Sequence, residues 1–220
     1  MPGNTPQTGR KSAYVARNRA AILKAALSVF ARDGVDATME NVADEAQVAM
    51  STVYKHFKDK RDLITETAKF AFEDWESWVQ KRIVEISDPL EQLVMPLRLF
   101  LRAKATHPEY AQLVAKNFGV VSQILSELPS AFTAQVNALN KAKVLNVENT
   151  PMATHNLFSV VVIQLVNQTL NPKATAAEGD LAIRIALSML GISEAKAKKL
   201  TESNFSVVKS LLVMAICLAQ

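Results

Sequence analysis

The chain has 220 residues, 49% of them hydrophobic, with a formal net charge of +4, the composition of a globular protein with a core of its own. A single cysteine (Cys217), three scattered histidines and no apolar run near the ~20 residues a bilayer needs argue against an internal disulfide, a metal centre and a membrane span. A cytoplasmic protein without metal or cofactor is expected, and with six glycines and scarce strand alternation it reads as all-α.

Residues 1–12, polar with Pro, Gly and Thr, read as a flexible arm with Arg10 and Lys11 at its base, not as a signal peptide. Over 13–32, Ile22, Leu23, Ala26, Leu27 and Phe30 recur on one helical face, and Gly34 is placed to end that helix in a left-handed conformation. Residues 38–57 read as two short helices around a tight turn. Thr38 caps the first, Glu40 sits on the favourable side of its dipole, and Val42, Ala43 and Ala46 form its apolar face. Gln47-Val48-Ala49 makes the turn. Val53 and Phe57, four apart, fix the inner face of the second helix and leave Met50, Ser51, Thr52 and Lys55 facing outward. This is the build of a helix-turn-helix, whose second helix enters the DNA major groove. Charge agrees: residues 1–61 hold ten Lys/Arg against six Asp/Glu, whereas the rest hold fifteen of each, so the whole +4 lies beside the motif.

A helix without proline or glycine follows over 60–86, long enough to link two domains mechanically. Pro89 opens the next, which Pro96 interrupts and which ends before Thr106-His107-Pro108. Helices are then expected over 109–117, 121–128 and 130–144. Thr150 caps another, with Pro151 in its first turn, running to about residue 170. A loop over 171–179, a helix over 180–190 stopped by Gly191, a basic turn over 194–202 and a last helix from Ser203 complete the chain. The segment 157–163 and the last helix are apolar on every side, so each is either central core or subunit interface. The interface is the expectation, because a chain end is a poor place for a central helix. It assigns Leu157, Val161 and Leu165, with Leu211, Met214 and Leu218, to a symmetric homodimer.

Three stretches together, the helix end Phe30-Ala-Arg-Asp-Gly34, Thr38-x-x-x-Val-Ala43, and Ser51-Thr-Val-Tyr-x-His-Phe57 with Lys60-x-x-Leu63, resemble the N-terminal domain of TetR-type transcriptional regulators. The resemblance covers about residues 15–64, and the His107-Pro108-Glu109 stop is also familiar in that family. It implies an all-helical homodimer with a DNA-binding domain (13–62, after the arm 1–12) and a larger effector-binding and dimerisation domain (63–220). It also implies phosphate contacts from Thr38, Tyr54, His56 and Lys60, and base reading by Met50, Ser51, Thr52 and Lys55. On the residues alone, Tyr54 also reads as a core-edge aromatic, His56 as a packing or capping group, and Met50 as an idle surface side chain. Two positions depart from the family pattern: Gln47 stands where glycine is usual and Ala49 where a serine or threonine is. A slightly different turn is therefore expected.

The larger domain supplies Trp75, Trp78, Leu97, Phe100 and Leu101, then Tyr110, Phe118, Leu125, Phe132 and Phe158, with Asn156 among the neutral polar groups Asn117, Gln164 and Asn167. These are the expected pocket residues for a small, mostly apolar or aromatic effector. The same aromatics also read as ordinary core filling. Arg98 and Arg102, off the Leu93/Leu97/Leu101 stripe, are expected to face solvent. The function expected is a sequence-specific DNA-binding regulator, a repressor released from a palindromic double-stranded operator when the effector moves the long helix. The alternative is a helix-turn-helix regulator whose C-terminal domain binds a protein partner. An enzyme is not expected, for want of a phosphate loop, a nucleophile elbow or a catalytic constellation.

Overall fold

The computed structural model describes residues 7–125 and 130–202, which form twelve α-helices and two short 3₁₀ turns, with no strand among the described residues. Helix α1 (Gln7–Asp33) begins ahead of residue 13, so the base of the expected arm, Arg10 and Lys11 included, is helical. Its inner face buries Ile22, Leu23, Ala26, Val29 and Phe30. The helix ends as expected at Gly34 (φ +60°), where an added Cβ would stand 2.9 Å from Lys116 Cβ. Both the backbone angle and the close approach require glycine there.

Helix α2 (Met39–Glu45) starts at a reciprocal cap: Thr38 accepts from the Asn41 amide, and the Asn41 side chain accepts from the Thr38 amide. Helix α3 (Met50–His56) buries Val53, and Phe57 follows it into the core. Between them Gln47 has φ +53°, so the left-handed turn is retained with glutamine, contrary to the altered turn expected. Ala49, in the cap position of α3, offers no side-chain hydrogen bond.

Helix α4 (Lys60–Ile83), capped by Asp59, is 24 residues long, roughly 36 Å at ~1.5 Å per residue. Its start packs Leu63, Ile64 and Ala68 with α1–α3, while Trp75 and Val79 belong to the larger domain. There follow α5 (Pro89–Phe100), α6 (Ala103–Thr106), α7 (Pro108–Lys116), α8 (Phe118–Leu125), α9 (Ser130–Lys141), α10 (Thr150–Leu170), α11 (Ala176–Leu187) and α12 (Glu194–Glu202). The cap of α10 is Asn149 rather than Thr150: its side chain accepts from the Met152 amide at 3.0 Å, and Thr150 turns to Asn137. Helix α11 begins inside the expected loop, because Thr175 and Glu178 form a capping box. Gly179 lies within that helix, buried against Gln168 and Leu101. Gly191 (φ +71°) is the stop expected of it.

Two corrections concern which way side chains face. Leu157, Val161 and Leu165 are 0, 1 and 1% exposed, packed with Leu97, Ile183 and Leu187 in the subunit's own core. Spaced four apart, they are the inward row of α10, so they are not interface side chains. Leu211, Met214 and Leu218 lie outside the described residues. Arg98 is not solvent-facing but 2% exposed, and Arg102 is half-buried beside it. Helices α11 and α12 cover that flank of α5. Arg98 Nε donates to Asp180 Oδ1 at 3.2 Å, and its other nitrogens donate to the carbonyls of Leu200 and Thr201 at the end of α12. Arg102 donates to the second Asp180 oxygen at 2.6 Å. Burial pulls the Arg98 pKa down, and the Asp180 charge opposes that pull.

Candidate nucleic-acid interface and effector cavity

On α3, Ser51, Tyr54 and Lys55 are exposed, Met50, Thr52 and His56 are half-buried, and Val53 is fully buried. The helix therefore turns hydroxyl, phenol and ammonium groups outward from an apolar anchor. Tyr54, at 54% exposed, is not a core-edge aromatic. The His56 ring lies 6.1 Å from that of Phe57, tilted against it. Thr38 is exposed, although its hydroxyl oxygen is already engaged in the α2 cap. Lys60 donates to the Val35 carbonyl, so meeting a phosphate would require it to exchange that partner. Arg19, paired with Glu66, lies 5.4 Å from the centre of the Phe57 ring and ties α1 to the foot of the motif.

In the larger domain two adjoining cavities share Phe72, Trp75 and Phe100. The larger, about 130 Å³, is walled by Val79, Ile83, Pro96, Leu97, Phe132, Phe158, Val161 and Val162, with Glu76, Gln80 and Gln135 as the polar groups among the described residues. The smaller, about 40 Å³, lies against Tyr110, Leu113, Val114, Val121 and Ile124. Of the expected pocket residues, the structure thus brings Trp75, Leu97, Phe100, Tyr110, Phe132 and Phe158 together. Trp78 instead packs on His107, and Leu101 sits in the core beside α11. Phe118 lines a separate groove with His155 and Ile163. Asn156 and Asn167 are exposed on the far side of α10, and Gln164 is only half-buried there. Asn117 is buried but bonded to the Phe30 and Leu113 carbonyls. The Leu125 side chain lies outside the described residues. The polar groups of the cavity were missed because they sit on α4 and α9. The signal was legible all the same: Phe72, Glu76, Val79 and Ile83 repeat at intervals of three and four.

Two elements run from these cavities to the helix-turn-helix. Helix α4 lines both cavities through Trp75 and begins three residues beyond Phe57. Helix α7 lines the smaller one through Tyr110, Ala111, Leu113 and Val114. At its far end Lys116 donates to the Arg32 carbonyl at 2.7 Å, and Asn117 donates to that of Phe30 at 3.1 Å, joining the last turn of α1. The two helices are locked together by Tyr110 donating to Asp74, by His107 stacked 5.1 Å from Tyr110, and by Trp78 edge-on to His107 at 4.8 Å. Burial lowers the His107 pKa and raises that of Tyr110, which favours the neutral forms of both.

Residues 22–67 match the model of the bacterial regulatory proteins of the tetR family. No curated protein sequence matches the chain. Among solved structures, RolR in complex with resorcinol superposes with a TM-score of 0.69 at 18% identity, covering 88% of this chain and 97% of that one. The regulator FadR from Bacillus subtilis in complex with stearoyl-CoA gives 0.65 at 17%, over 80% of this chain and 100% of that one. The fatty acid degradation regulator FadR from Bacillus halodurans gives 0.62 at 15%, over 84% and 99%. None of the described helices is long and apolar enough to cross a membrane. Residues 22–67 thus carry the helix-turn-helix domain described by the tetR family model, and the rest of the chain shares the helical fold of these solved structures.

Proposed function

We propose that this protein is a cytoplasmic homodimeric repressor that holds a palindromic operator and releases it when a small, mostly apolar molecule enters the larger domain. The observation that carries the reading is the shared helix: α4 supplies Phe72, Trp75 and Val79 to the cavities and is continuous with the foot of the helix-turn-helix. A ligand that shifts α4 would change the separation of two recognition helices and their fit to successive major grooves. Similar folds with resorcinol or stearoyl-CoA bound support a small-molecule effector without identifying it. The domain division at residues 62–63 and the DNA-facing roles belong to the same proposal. Thr38, Tyr54, His56 and Lys60 meet phosphates, and Met50, Ser51, Thr52 and Lys55 meet base edges.

The division between phosphate-facing and base-facing groups makes it testable with operator fragments selected from random duplexes. Replacing Tyr54 or Lys60 by alanine should weaken binding on every duplex alike, with Lys60→Ala lowering the salt slope by ~1. Replacing Lys55 or Thr52 should instead change the preferred sequence, at ~1–3 kcal/mol for each base edge that is no longer read. Undiminished operator binding by a folded Tyr54→Ala, Lys60→Ala double variant would overturn the assignment.

A further inference from the structure

We propose that the effector carries a hydrogen-bond-accepting oxygen on a neutral body about one aromatic ring in size, and that the Trp75 indole N–H is the group that selects it. The proposal rests on the effector reading of the cavities and adds a ligand class and a recognising atom to it. Trp75 is 8% exposed and lines both cavities, yet its Nε1 is buried with no hydrogen-bond partner among the described residues. Buried indole N–H groups normally find an acceptor, because an unpaired one forfeits its hydration for nothing. The ring is held on two sides, by Phe72 at 5.7 Å and edge-on by Phe100 at 5.4 Å between centroids, so rotation towards another acceptor is hindered. A ligand oxygen would satisfy the N–H; a hydrocarbon of the same shape would leave it orphaned.

Size and charge narrow the class. A dry apolar cavity of about 150 Å³ is known to hold benzene, and the larger cavity here is about 130 Å³. The adjoining space of about 40 Å³ suits a small substituent. Among the described residues no Lys or Arg lines either cavity, whereas Glu76 lines the larger one, so an anionic ligand meets repulsion there without a counter-charge from them. Gln80 and Gln135 add neutral donors and acceptors. Ketones, ethers, esters and phenols fit these conditions; carboxylates and phosphorylated acyl carriers do not.

The test compares acetophenone with α-methylstyrene, in which a methylene replaces the carbonyl oxygen. The chain has two tryptophans, so its nitrogen–proton spectrum holds two indole signals, and Trp78→Phe assigns that of Trp75. Acetophenone should move the Trp75 indole proton downfield, and α-methylstyrene should not. In Trp75→Phe the preference for acetophenone over α-methylstyrene should fall about five- to tenfold relative to the natural chain. The spectrum of the natural chain decides the matter even if Trp75→Phe does not fold. Equal displacement of the signal by both compounds, or an unchanged preference in the variant, would overturn the donor role while leaving the effector cavity in place. Binding of neither compound at millimolar concentration would overturn the ring-sized cavity and this proposal together, without touching the DNA-facing residues.

Discussion

Gln47 sits in the tightest part of the DNA-binding motif with φ +53°, a conformation in which a side chain crowds the following carbonyl. Two residues on, Ala49 has the extended backbone of a helix cap (φ −66°, ψ 144°) and nothing with which to cap. The turn therefore survives without either of the residues that would make it easy, held by Val42, Ala43, Val53 and Phe57 packed beneath it. Gln47→Gly should stabilise the fold by about 0.5–1 kcal/mol, because relief of the left-handed strain exceeds the entropy glycine adds to the unfolded chain. Ala49→Ser should add about 1 kcal/mol by capping α3. Urea midpoints of the two variants and their combination measure both effects. A Gln47→Gly variant less stable than the natural chain would show that the glutamine side chain contributes more than its backbone costs. Both positions were visible in the sequence as departures from pattern. That the left-handed angle persists was not, because tertiary packing outweighs a local cost of this size.

Single helices were legible where local chemistry decides them, and misread where a neighbouring helix decides. Thr38, Pro89, Gly34 and Gly191 act through bonds and angles within a few residues, and each stands where the sequence placed it. Arg98 does not. Its flank of α5 looks polar along the chain, but Asp180 of α11 and the terminal carbonyls of α12 come from 82 to 103 residues away. The inward row of α10 has the same cause, since an all-apolar helix does not announce which side meets its own core. The Arg98–Asp180–Arg102 group also yields a prediction at this scale. Asp180→Ala leaves a buried guanidinium without its counter-charge and should cost on the order of 3 kcal/mol, whereas replacing Arg98 and Asp180 together by Met and Leu should cost less than the single change. Thermal unfolding of the three proteins checks it; equal losses in the single and double variants would mean that the ion pair contributes little.

At the scale of the whole molecule, the surface left on α10 and α11 is what the fold has to explain. Leu181, Ile185 and Met189 recur every four residues on and just beyond α11 and are 50, 59 and 37% exposed, and Ile163 on α10 is 44% exposed. Such a row is costly to leave in water, and it does not serve the cavities, none of whose lining residues it contains. A second copy turned about a two-fold axis would cover it with the same row, and the same symmetry would present two recognition helices to half-sites about one helical turn apart. The dimer interface is thus proposed on the outward rows of α10 and α11 in place of Leu157, Val161 and Leu165. Ile185→Lys should yield a monomer of unchanged helicity at micromolar concentration and lose tight binding to the two-half-site operator. Val161→Lys, which puts a charge into the core, should unfold the chain instead. Sedimentation and circular dichroism separate the two outcomes, and an Ile185→Lys protein that stays dimeric would move the interface elsewhere.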